Sequence, residues 1–152
     1  MENLKKTLIL GLGNILLQDE GVGVRVVEAM RDVPTPPGVD LLDGGTAGLS
    51  LLELMEGYDR VIVVDAVEAG AEPGAIFKFR PEDLAAMPNV QLTSFHQVGL
   101  MDVLQLAESV GQRPEVVIIG VQPASLNWGT DLTPQLKDTV PRVIGFVLRE
   151  IT

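Results

Sequence analysis

The chain alternates between short continuous apolar runs and stretches with apolar residues at spacings of three and four. Thr7 to Gly11 (TLILG), Arg60 to Ala66 (RVIVVDA) and Glu115 to Val121 (EVVIIGV) are apolar on consecutive positions over strand length. This pattern predicts strands buried on both faces of a sheet. Val39 to Leu42 predicts another strand, closed by Asp43-Gly44-Gly45. Ala75 to Arg80 alternates apolar and polar, as an edge strand does, and suits an antiparallel position. Asn89 to Phe95 fits strand or loop equally.

Between these runs the period changes. Val22, Val26, Met30 and Val33 predict a helix over 20–33, with Arg25, Glu28 and Arg31 on its polar side. A second helix is expected from Ala47 to Glu56, with Thr46 as cap and Gly57 as stop. Pro81 to Met87 predicts a short helix and Val98 to Val110 a longer one, the latter through Leu100, Leu104 and Ala107. The last helix starts at Thr133-Pro134, a cap followed by proline at the first helical position. Pro141 then interrupts the apolar series Leu136, Val140, Val143 and Val147, which predicts a kink or a split there. Strands alternating with helices in this order predict an α/β fold of three layers. A twisted, mostly parallel sheet lies between helices on both faces, with an antiparallel edge strand. At 152 residues the chain is expected to be one domain, 1–152.

Composition narrows the function classes. A formal charge of −10 repels nucleic acid phosphates and anionic lipid, so neither is expected as a partner. The absence of cysteine excludes disulfides, a thiol nucleophile and thiolate metal sites. Lys5-Lys6 before the apolar run from Thr7 to Leu17 has the outline of a signal peptide, but Asn14 and two glycines interrupt it and Gln18-Asp19-Glu20 follows. A buried first strand is the better reading. No other apolar stretch approaches the ~18–20 residues of a membrane span. A cytoplasmic location is expected.

In parallel sheets of this kind, working groups collect at the carboxyl ends of the strands. The first strand leads into Gly11-Leu12-Gly13-Asn14, but Leu16 stands where a dinucleotide fingerprint needs its third glycine, and no glycine run is followed by a phosphate-binding lysine. The glycines therefore read as a turn or a close backbone approach. Glu20 enters the first helix, where it is either a functional acid or a carboxylate complementing the helix dipole, a task Asp19 can also perform as a cap. Asp65 ends the third buried run, where a carboxylate must be paired, hydrogen-bonded or metal-bound. Asp43 suits an Asx turn but lies within reach of the same strand ends. His96 is the single histidine, and a lone histidine is more often a packed or surface residue than a ligand; imidazole with two carboxylates is nonetheless a sensible set for a divalent zinc, nickel or iron ion, though composition alone does not single it out.

Five segments, in order along nearly the whole chain, resemble the motifs of the hydrogenase maturation endopeptidases. They are Leu8–Val24 (LILGLGNILLQDEGVGV), Asp43–Gly48 (DGGTAG), Val64–Val67 (VDAV), Ser94–Leu100 (SFHQVGL) and Gly120–Pro123 (GVQP). The resemblance implies an endopeptidase that removes a C-terminal extension from the precursor of a nickel–iron hydrogenase large subunit after nickel insertion. It places the family's metal-contacting groups on Glu20, Asp65 and His96. Those residues would contact nickel carried by the substrate, whose cysteine thiolates suit the softer side of that metal, and no organic cofactor is implied. Other divalent metals could take the site in vitro. Hydrolysis could run through a metal that polarises the scissile carbonyl or activates the attacking water, or through a carboxylate acting as general base, for which Asp65 is the candidate because burial can raise a carboxylate's affinity for protons. A nickel carrier or precursor chaperone without peptidase activity, and a peptidase with a resident zinc, are the competing readings.

Overall fold

The computed structural model describes residues 5–46, 50–93 and 100–152. The strands are β1 (Thr7–Leu12), β2 (Val39–Gly45), β3 (Arg60–Glu68), β4 (Ile76–Phe79), β5 (Gln91–Leu92) and β6 (Glu115–Val121). The helices are α1 (Val22–Met30), α2 (Leu51–Met55), α3 (Pro81–Ala85), α4 (Leu100–Ser109) and α5 (Pro134–Ile151), with a short 3₁₀ helix at Gln18–Gly21. The sheet runs β2-β1-β3-β6-β4. β1 pairs in parallel with β2 and β3, and β3 with β6, while β4 runs antiparallel to β6 at the edge, as its alternating sequence predicts.

Side chains alternate between two cores. Ile62, Val64 and Ala66 of β3 join Ile9, Ile119 and the buried faces of α1 and α5. Val61, Val63 and Val67 join Leu8, Leu10, Ile118, α2 and α4 on the other face. Sequence and layer thus agree: a strand covered on both sides needs apolar residues at every position. Each such side chain, fully buried, contributes about 1.5–3 kcal/mol of transfer free energy.

Several boundaries move. The first helix is shorter than 20–33, because Gln18–Gly21 forms the 3₁₀ turn and α1 ends at Met30. The ambiguous segment resolves in part as β5, two residues paired antiparallel with Val67 and Glu68. That pairing carries β3 beyond its expected end at Ala66. The described part of the second helix starts at Leu51, and residues 47–49, with the expected start at Ala47, lie outside the described residues. Gly57 does terminate it, at φ +84°.

At Pro141 the expectation of a split is corrected: α5 is one helix of 18 residues through the proline. Pro141 itself faces solvent, while Leu136, Val143 and Val147 are buried against the first core on the opposite face. Packing on both sides of the proline holds the helix together across the missing N–H.

Candidate active site

The end of the sheet where β1 and β3 terminate is assembled by close backbone packing. A Cβ on Gly23 would lie 2.0 Å from the Val64 carbonyl oxygen, and one on Gly11 2.3 Å from that of Gly23. The first turn of α1 therefore lies directly on β1 and β3, at a distance only glycine permits. Gly13, at φ +132°, lies beneath the carbonyl of Glu20, which a Cβ there would meet at 1.8 Å. The reading of these glycines as a turn and a close approach is correct.

This packing brings Glu20 and Asp65 to one end of the sheet. Glu20 is in the 3₁₀ helix, which packs against β3, and is 5% exposed. It stands one residue before Gly21, the cap of α1, so its position is compatible with the helix-dipole role as well. Asp65 is fully buried and opposite Gly120 in the β3–β6 register, three residues inside the end of β3 rather than at its terminus. Alternation along β3 turns its side chain toward the face of Val63 and Val67. Its Oδ1 accepts a hydrogen bond from the Ala66 N–H at 2.8 Å, and both carboxylates have partners within the protein.

His96 falls in residues 94–99, outside the described residues. The chain is fixed just before them. Thr93 donates its backbone N–H to the Ala66 carbonyl at 3.0 Å and its hydroxyl to the same oxygen at 3.3 Å. The polypeptide therefore leaves β5 tied to the residue that follows Asp65. Among the described residues no three His, Cys, Asp or Glu side chains group closely enough to hold a metal ion. Asp43 is exposed, and its Oδ1 accepts from the Gly45 N–H at 2.8 Å, the Asx-turn role expected of it.

Two residues matter more than the sequence indicates. Asp19, expected as a possible helix cap, is instead fully buried and serves a distant loop. Its carboxylate accepts from the N–H groups of Ala124, Ser125 and Thr133 and from the Thr133 hydroxyl, at 2.8–3.1 Å. Thr133 consequently occupies the cap position of α5 without a side-chain capping bond. Gln122 is also buried. Its Oε1 accepts from the N–H groups of Ala69 and Ala71, and its Nε2 donates to Glu68, so it shapes the exit from β3. No local pattern marks either role, since their partners lie far away in sequence.

Asp65, buried within β3, and Glu20, buried in the 3₁₀ helix packed against that strand, put two carboxylates at the end of the α/β sheet where such folds place their working groups. The comparisons supply the family. The hydrogenase maturation protease family (HycI) matches residues 24–150. The hydrogenase expression/formation protein HupD of Bradyrhizobium diazoefficiens is 42% identical over 138 residues, covering 89% of this chain and 72% of its own length. The hydrogenase 2 maturation protease of Escherichia coli is 38% identical over 146 residues, covering 94% and 88%. The solved structure of the hydrogenase maturating endopeptidase HybD from E. coli superposes with a TM-score of 0.84 at 39% identity, covering 95% of this chain and 91% of that one. The chain belongs to the hydrogenase maturation protease family, and it is an endopeptidase.

Proposed function

We propose that this endopeptidase removes the C-terminal extension of a nickel–iron hydrogenase large-subunit precursor after nickel insertion, and that it recognises the nickel the precursor carries. Glu20, Asp65 and His96 are the contacting groups in this reading. The observation that carries it is the placement of two buried carboxylates at one end of the sheet, in a chain of this family. Oxygen donors with one imidazole, and no thiolate, complement a metal already held by softer ligands on its substrate. Specificity is then a difference in affinity between loaded and unloaded precursor.

In the chemical step, water attacks the scissile carbonyl and gives up a proton, and the departing amine must gain one. Asp65 is the group assigned to accept the proton from water, with the nickel positioning the peptide. Polarisation of the scissile carbonyl by the metal is the other route to the same hydrolysis. A cytoplasmic location belongs to this reading, and a cysteine-free chain is compatible with a reducing compartment. The charge of −10 argues against nucleic acid as a partner.

The test is cleavage of the cognate precursor with and without nickel, read by intact mass. Loss of a C-terminal peptide from the loaded form alone supports the whole reading. Equal cleavage of both forms overturns nickel recognition, and no cleavage of loaded precursor favours a carrier or chaperone. Glu20→Ala, Asp65→Ala and His96→Ala should each abolish processing in a folded protein; normal processing by all three would refute the site.

A further inference from the structure

Beside Glu20, two loops are joined into one rigid, uncharged surface. The Gln18 N–H donates to the Gly129 carbonyl at 3.0 Å and the Gly129 N–H to the Leu16 carbonyl at 2.9 Å. The Asp19 N–H donates to the Ser125 carbonyl at 3.1 Å, and the Asp19 carboxylate ties down Ala124, Ser125 and Thr133. Large apolar side chains are left in solvent here: Leu16 is 50% exposed and Trp128, the only tryptophan, 80%, with Ile15 and Leu126 each 38%. Neither 12–18 nor 121–130 contains a charged residue, in a chain where charged residues make up 21%. Ile15 and Leu16 also line a mainly apolar cleft of about 310 Å³ that reaches Gly13, Val24, Thr46 and one acid, Asp43. Gly13 is also the residue on which the Glu20 carbonyl rests.

We propose that this ledge, formed by Ile15, Leu16, Leu126 and Trp128 with the cleft behind it, is the docking surface for an apolar, uncharged segment of the precursor flanking the extension to be removed. The inference rests on the functional reading above and deepens it. A peptidase must hold a polypeptide, and exposed aromatic side chains on a fixed backbone lose little freedom on binding, which makes them effective anchors. The ledge is continuous with the site, since the strand of loop that displays Leu16 runs on to Glu20. With no charge on either loop of the ledge the surface selects an apolar segment, and Asp43, which also lines the cleft, adds a single acid there. A second copy of this chain is the poorer occupant, because pairing would bring two charges of −10 together.

The experiment measures kcat and KM for nickel-loaded precursor by intact mass, with wild-type protein, Trp128→Ala and Leu16→Ser, each verified as folded by its thermal transition. Sedimentation of the protease alone accompanies it. The expected result is a rise in KM of about tenfold or more in both variants, with the loss in kcat/KM residing in KM, and partial recovery in Trp128→Phe. Wild-type cleavage with an unchanged KM in both folded variants overturns the docking surface alone. A wild-type dimer that both variants dissociate, again with KM unmoved, assigns the ledge to self-association and overturns it too. Failure of the wild-type protein to cleave loaded precursor overturns the functional reading, and this inference with it.

Discussion

Asp19 and Thr133, separated by 114 residues, are joined by two hydrogen bonds: the Thr133 N–H reaches Asp19 Oδ1 and its hydroxyl reaches Oδ2, both at 2.8 Å. The same carboxylate holds Ala124 and Ser125. One buried side chain therefore fixes the loop after β6, the entry to α5 and the 3₁₀ helix that carries Glu20. Fold and site meet at this residue, although it belongs to neither the sheet nor the assigned chemistry.

Replacing Asp19 by Ala should be among the most damaging single changes in the chain. It strips the acceptor from three backbone N–H groups and a hydroxyl in a closed environment. Leaving buried donors without a partner costs about 1–3 kcal/mol each, offset where water enters, so a total near 3–5 kcal/mol is expected. For a domain of this size that lowers Tm by about 10 °C, measurable by circular dichroism or calorimetry. Asp19→Asn should be milder in volume but still destabilising, because its amide nitrogen offers a donor where the structure presents only donors.

Gly23 makes a separate prediction, linking packing to catalysis. A methyl group there would meet the Val64 carbonyl at 2.0 Å and backbone atoms of Leu12 at 2.5 and 2.8 Å. Backbone cannot rotate aside as a side chain can, so α1 must shift away from the sheet. Gly23→Ala should cost about 3 kcal/mol or more, at the upper end of overpacking effects and beyond the gain Ala normally brings to a helix. Because the displaced turn adjoins the 3₁₀ helix, precursor cleavage should fall about a hundredfold even at temperatures where the variant is folded. Retention of full activity by a folded Gly23→Ala protein would show that Glu20 does not depend on this contact.

The sequence makes the sheet legible because β1, β3 and β6 are buried on both faces, and burial writes continuous apolar runs that few other environments tolerate. The edge position of β4 is legible for the converse reason: its run is short and mixed, with exposed Lys78 between half-buried Phe77 and buried Phe79. β5 is too short for any period to show. Its two residues form a strand only because Val67 and Glu68 are there to pair with them. Pro141 misleads because helix propensity is local, whereas the burial of Leu136, Val143 and Val147 is not. At the site, Asp65 is legible as a carboxylate inside an apolar strand. The role of Asp19 is not, since an acid beside Glu20 at a helix entry looks like a cap and its true partners are over a hundred residues away. The third expected member, His96, lies outside the described residues.

The single tyrosine offers a test that needs no substrate. The Tyr58 hydroxyl donates to Asp40 Oδ2 at 2.7 Å, joining the turn before β3 to β2. The bond to a carboxylate holds the phenol in its neutral form, assisted by burial and by the negative charge of Asp40, and its pKa is pushed up from 10.0 to about 12. In the unfolded chain the phenol ionises near its ordinary value, while in the folded chain it keeps its proton to higher pH. The contribution to stability is therefore fully present below about pH 10 and is lost as pH rises through 12. Absorbance at the wavelength of tyrosinate should show one titration, with a midpoint well above 10 in the native protein. Asp40→Asn removes both the charge and the strong acceptor and should return the midpoint toward 10. An unshifted midpoint in the folded wild-type protein would mean that Tyr58 and Asp40 are not joined in solution.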